Sequence, residues 1–157
     1  MHKISFNFVD TYKKKEGLID GGLRKNNKKK NPLFSIITVN LNDDLESTIL
    51  SVKLQKHRNI IEHIIIDGGS RKNYIKLLNH YNDDIDYWIS EKDKGIWHAS
   101  NKGLALARGK FIGLLDSGDI LSNDASIILN KMNSINPKVD CIIGSVMRER
   151  LLSGFYP

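Results

Sequence analysis

From Leu33 onward, apolar positions fall into short continuous runs that alternate with segments of helical spacing. Leu33–Val39 is a near-continuous apolar run, as expected of a strand covered on both faces. Asn42 or Asp43 stands where a helix N-cap belongs, and Leu45, Ile49 and Val52 follow at i, i+4 and i+7. Ile60–Ile66 is a second buried strand, closing at Asp67-Gly68-Gly69-Ser70, and the next helix carries Tyr74, Leu77, Leu78 and Tyr81 on one face. Asp86–Ser90 predicts a third strand, Trp97–Ala107 a helix stopped by Gly109, and Phe111–Leu115 a fourth strand. A helix with Ile127, Ile128 and Met132 and a fifth strand over Val139–Gly144 complete the series. Such alternation predicts an α/β fold of Rossmann-like type: a mostly parallel sheet, right-handed crossovers and helices on both faces. Residues 1–32 break the pattern. They are polar, rich in Lys, Asn and Gly, and only Ile4–Val9 alternates like a short strand. The expected organisation is a flexible or peripheral arm over 1–32 and one domain over 33–157, with removal of the arm leaving the thermal transition nearly unchanged.

Charge sharpens that division. The chain carries 24 Lys and Arg against 18 Asp and Glu. Nine of the basic and three of the acidic side chains lie in 1–32, so the arm holds the whole excess and the body is neutral. A solvated tail is the plain expectation; peripheral contact with anionic lipid is the alternative, and nucleic acid is disfavoured. The lone Cys141 sits in an apolar run and reads as a core thiol, which with the absence of a disulfide partner suggests a reducing, cytoplasmic setting. No stretch is long and apolar enough to span a bilayer.

In a parallel α/β sheet, ligands bind beyond the carboxyl ends of the strands. The residues just past those ends are Asn40, Asn42 and Asp43, then Asp67, then Glu91, Asp93 and Lys94, then Asp116 and Asp119. Carboxylates gathered there repel one another unless a cation or a donor-rich ligand lies between them, and a metal ion and a nucleobase are natural candidates. In Leu114-Leu115-Asp116-Ser117-Gly118-Asp119 an apolar strand runs into two carboxylates that suit a hard divalent ion, or that bond their own turn. Asp67 at its strand end suits the ring N–H of a uracil base, or a plain strand-to-helix turn. Asn101 and Gly103 interrupt a helical run at a cost in propensity, which suggests a functional reason. Lys94 or Lys102 is placed to face a diphosphate, whereas Trp97 reads as core. The histidines lack metal-ligand spacing, and neither a nucleophile elbow, a Walker loop nor a dinucleotide glycine fingerprint is present.

Taken in order, SIITVNLN (35–42), IEHIIIDGGS (61–70), DYWISEKDKGIWHASNKGLALARG (86–109) and FIGLLDSGD (111–119) resemble glycosyltransferase family 2, especially members from polysaccharide and lipopolysaccharide gene clusters. The likeness covers roughly 33–145. It implies a GT-A fold, a nucleotide-sugar donor of the UDP-sugar kind, Mg²⁺ or Mn²⁺, and transfer, with inversion, to a growing surface glycan or lipid-linked acceptor. It further implies that Asn40 and Asp43 lie by the nucleotide, that Asp67 contacts the base, and that Asp93 and Asn101 belong to the donor pocket. Asp116 and Asp119 stand in the family's acidic metal motif, with Gly118 replacing its middle carboxylate. Ligation then rests on Asp119, with Asp116 nearer the ribose or the metal. Ser70-Arg71-Lys72-Asn73 replaces the usual Ser-Thr-Asp-Gly, so a second acidic position is lost. Family members continue into an acceptor-binding half that supplies a carboxylate general base. The expectation is therefore a truncated donor half with its base beyond Pro157, inactive alone and prone to self-association or to binding a partner chain. The rival expectations are an inert nucleotide-sugar-binding remnant and an interaction module acting through the arm.

Overall fold

A computed structural model of the chain describes residues 18–26 and 31–135. Across them run β1 (Ile19–Gly21), β2 (Phe34–Asn40), α1 (Leu45–Lys53), β3 (Ile61–Asp67), α2 (Lys72–His80), β4 (Tyr87–Ser90), α3 (Ile96–Leu106), β5 (Phe111–Leu114) and α4 (Ala125–Ile135). The strands form one sheet in the order β1-β4-β3-β2-β5, parallel except that β1 runs antiparallel to β4. The predicted strand over Val139–Gly144, Cys141 and the Ile4–Val9 segment lie outside the described residues, as does the side chain of Met132.

Side-chain alternation along the central strands sorts the core into two layers. Ile65 and Trp88 pack with Leu45 and Ile49 of α1 and Leu78 of α2 on one face. Ile37, Ile64, Ile66 and Ile89 pack with Ala99 of α3 on the other. The chain thus builds outward from β2 to β4 beneath α1 and α2, and α3 returns it across the opposite face to β5, beside β2. The strand order reverses at β2, and the opening beyond the ends of β2 and β5 is where such sheets place a ligand. Gly103 explains part of the α3 pattern. A Cβ there would collide with the Ile37 side chain, so the glycine lets α3 approach β2, and its reason is packing.

Two expectations are corrected. Part of the segment 1–32 belongs to the sheet: Ile19–Gly21 pairs with β4, and the turn after it places Arg24 against Glu62 of β3. This escapes the apolar pattern because three residues cannot display a period and the contact is made by charge and main chain. Trp97 is 78% exposed rather than core, because Ala99, Lys102 and Gly103 are the residues that α3 turns toward the sheet. On β5, Ile112 and Leu114 are exposed.

Candidate functional site

Strand register delivers the frame of the site. Asn40 pairs with Asp67 across β2 and β3, and Asp67 with Ser90 across β3 and β4, so three polar side chains form one row at the carboxyl end of the sheet. Asn40 Nδ2 donates to Asp67 Oδ1 at 2.7 Å, and Ser90 Oγ donates to Asp67 Oδ2 at 2.5 Å. Ser70 N–H also donates to Asp67 Oδ2, at 3.0 Å, while its hydroxyl accepts from Asn40 Nδ2 and from the Asn42 amide. On its other side, Asn40 Oδ1 accepts from Ser117 Oγ at 2.9 Å and from the Asp43 amide at 3.4 Å. A single carboxamide therefore ties the exits of β2, β3 and β5 together. Both Asn40 and Asp67 are buried, Asp67 completely. Their bonds point inward, so they form the floor of the site.

Above this floor stand carboxylates that the frame leaves uncommitted. The Asp93 carboxylate leans over Gly68, whose Cβ position would lie 2.8 Å from Asp93 Oδ2, while Asp93 Oδ1 accepts the Gly95 amide at 2.8 Å. Asp43 is exposed and faces the acidic turn, its Oδ1 lying 3.7 Å from where a Gly118 Cβ would sit. The turn closes with Asp119 N–H donating to Asp116 C=O at 3.0 Å and with Gly118 in the left-handed region, φ +94°. Asp116 and Asp119 are both exposed. No group of three His, Cys, Asp or Glu among the described residues is placed to hold a metal. The donor set suits a hard divalent ion only if a ligand such as a diphosphate supplies further oxygens, which is how Mg²⁺ is usually held. An open groove of about 420 Å³ adjoins the crevice between the start of α1 and α2, lined by Asn42, Asp43, Glu46, Asn73 and Tyr74 among others.

The remaining sequence-predicted residues are placed differently. Lys102 stands beside a carboxylate rather than free for a phosphate. It is buried, with Nζ 2.7 Å from Glu91 Oε1, although the pair is not aligned as a hydrogen bond. Lys94 is exposed at the rim, its amide donating to His98 Nδ1 at 3.4 Å. Asn101 is exposed on α3. Sequence reasoning missed Ser70, Ser90 and Ser117, which make the frame cohere, and Thr48 on α1. The only signal for them is position, each one a small hydroxyl residue at a strand exit or on a helix flank between apolar positions.

The sequence model of glycosyl transferase family 2 matches residues 34–156. The chain belongs to this family. It is 41% identical over 93 residues to an uncharacterized glycosyltransferase of Mycobacterium tuberculosis, a stretch covering 58% of this chain and 36% of that protein. The chain thus spans about a third of the length of that relative. Among solved structures it is similar to Staphylococcus aureus TarS 1–349 in complex with UDP-GlcNAc, with a TM-score of 0.54 and 18% identity over 64% of this chain and 31% of that one. It is also similar to the mannosyltransferase PcManGT of Pyrobaculum calidifontis in complex with GDP-Man and Mn²⁺, with a TM-score of 0.57 and 19% identity over 71% and 34%. These likenesses establish the GT-A fold for the family 2 chain. No helix among its described residues is long and apolar enough to cross a membrane.

Proposed function

We propose that the chain is the donor-binding part of a glycosyltransferase that moves a sugar from a nucleotide-diphosphate carrier, a UDP-sugar, to a growing surface glycan or lipid-linked acceptor, with inversion, at the cytoplasmic side of the membrane. The observation that carries this reading is the crevice where the strand order reverses: a buried Asn40–Asp67 floor and, above it, exposed Asp43, Asp116 and Asp119 with the partly exposed Asp93. Asp67 is completely buried beneath the frame, so the contact with the base passes to the partly exposed Asp93, whose Oδ2 lies over Gly68. The diphosphate would lie toward the 116–119 turn, where Asp119 and Asp116 are the residues that would hold Mg²⁺ or Mn²⁺. When bound, such an ion supplies positive charge against the departing diphosphate. Asp43, beside the same turn, lines the nucleotide. The chain's own part is to hold the main chain that carries these carboxylates, through the Asn40–Ser117 bond and the closed 116–119 turn, so that less reorganisation is needed when the donor binds.

Calorimetric titration of UDP into the chain tests the reading. Wild type binds more tightly with Mn²⁺ than with chelator. Asp119→Asn loses most of that metal-dependent gain, about tenfold or more in affinity for a charged ligand removed. Asp93→Asn weakens binding equally with and without metal, because its proposed partner is the base. Equal affinity of Asp119→Asn and wild type in Mn²⁺ contradicts the metal assignment.

A further inference from the structure

The apolar pattern of α1 accounts for Leu45, Ile49 and Val52 but leaves a second buried flank unexplained. Thr48, Ser51 and, just past the helix, Gln55 fall at i, i+3 and i+7, and all three are buried. Each bonds to main chain between Gly118 and Ser126. Thr48 Oγ1 accepts the Gly118 N–H at 3.0 Å and donates to the Asp119 carbonyl at 2.8 Å. Ser51 Oγ accepts the Leu121 N–H at 3.1 Å and donates to the Thr48 carbonyl at 2.8 Å. The Gln55 carboxamide donates to the Ser122 carbonyl at 2.8 Å and accepts the Ser126 N–H at 3.0 Å.

Buried polar groups cost stability unless they are satisfied, and an apolar contact would hold α1 to this stretch without fixing its register. The seam does both. It satisfies its own hydroxyls and carboxamide, and it locks one stretch of main chain at defined residues. Thr48 is the member that grips the acidic turn itself, holding the amide before Asp119 and the carbonyl of Asp119. We infer that Thr48 is a positioning residue whose hydroxyl sets the 116–119 turn so that the Asp116 and Asp119 carboxylates point together toward a divalent cation and a diphosphate. This inference rests on the donor-site reading above.

The test compares Thr48→Val, which keeps the size and removes the hydroxyl, with Thr48→Ser, which keeps the hydroxyl, in the full 157-residue chain. Two readouts are taken: amide hydrogen exchange at Gly118, and UDP affinity with Mn²⁺ and with chelator. In Thr48→Val, exchange at Gly118 speeds up about tenfold or more while Ile64–Ile66 amides keep their protection. The metal-dependent gain in UDP affinity falls about tenfold, and the metal-free affinity is unchanged. Thr48→Ser restores both. Thr48→Cys, a weak hydrogen-bonding group of similar size, gives intermediate values and serves if the valine variant does not fold. A folded Thr48→Val chain with wild-type protection at Gly118, or with the full metal-dependent gain, overturns the inference. A wild-type chain whose UDP affinity ignores Mn²⁺ overturns instead the metal assignment beneath it. The two failures are distinguishable, because Gly118 exchange reports the grip without any metal.

Discussion

His63 lies in the middle of β3, fully buried, with Nε2 3.0 Å from Thr38 Oγ1 and its amide donating to Asp86 Oδ2 at 2.9 Å. Burial chiefly, and then the Arg58 guanidinium, lower its pKa from 6.5 to about 3, with Asp86 pulling weakly the other way. Because the folded value is depressed, the folded ring stays neutral while the unfolded chain takes up a proton below pH 6.5. Stability is therefore full above pH 6.5 and falls toward pH 3, by about 2 kcal/mol between pH 7 and pH 5. Urea denaturation at the two pH values checks this, and His63→Gln should remove most of the drop. A pH-independent wild type would mean that the ring is protonated within the fold. At this scale the sequence showed which residues gather at the strand exits, because strand ends can be read from apolar runs. It could not show which side chains face inward. Asp67 is spent on Asn40, Ser90 and Ser70, and Lys102 on Glu91, and those partners lie on other elements.

At the scale of elements, β1 and the turn after it are the largest departure from the sequence reading. Asp20 accepts from the Tyr87 hydroxyl at 3.1 Å, and Gly21 lies directly on the indole of Trp88. Arg24 donates through Nε to Glu62 at 3.0 Å and through a terminal nitrogen to the Leu106 carbonyl at 2.8 Å. Glu62 is buried and also accepts from Ser35 Oγ at 2.8 Å and the Arg108 amide at 3.0 Å, so it joins β2, β3 and the end of α3. Removing Arg24 strands that carboxylate without its counter-charge. Arg24→Ala should cost about 3–5 kcal/mol, and deleting residues 1–32 at least as much. Thermal unfolding checks both, and an unchanged midpoint for the deletion would return the segment to the periphery. The longer elements were legible because amphipathic periods declare themselves over seven or more residues. A three-residue edge strand held by an ion pair has no such period.

At the scale of the whole molecule, the alternation of strands and helices predicted a parallel sheet but not the order of its strands. That order depends on which face each helix covers: α1 and α2 share one face and α3 takes the other, so β5 comes to lie beside β2. The reversal gathers Asp43, Asp93, Asp116 and Asp119 about one crevice, the proposed place for a nucleotide diphosphate. Amide chemical-shift mapping of the isotopically labelled chain, titrated with UDP and diamagnetic Mg²⁺, locates the bound nucleotide. Shifts are expected at residues 40–43, 68–70, 93–95 and 116–119, with the turn at Arg58–Ile60 at the opposite end of the sheet unmoved. Shifts confined to Asn73, Tyr74 and Leu77 in the groove between α1 and α2, or no shifts at millimolar UDP, would contradict that placement.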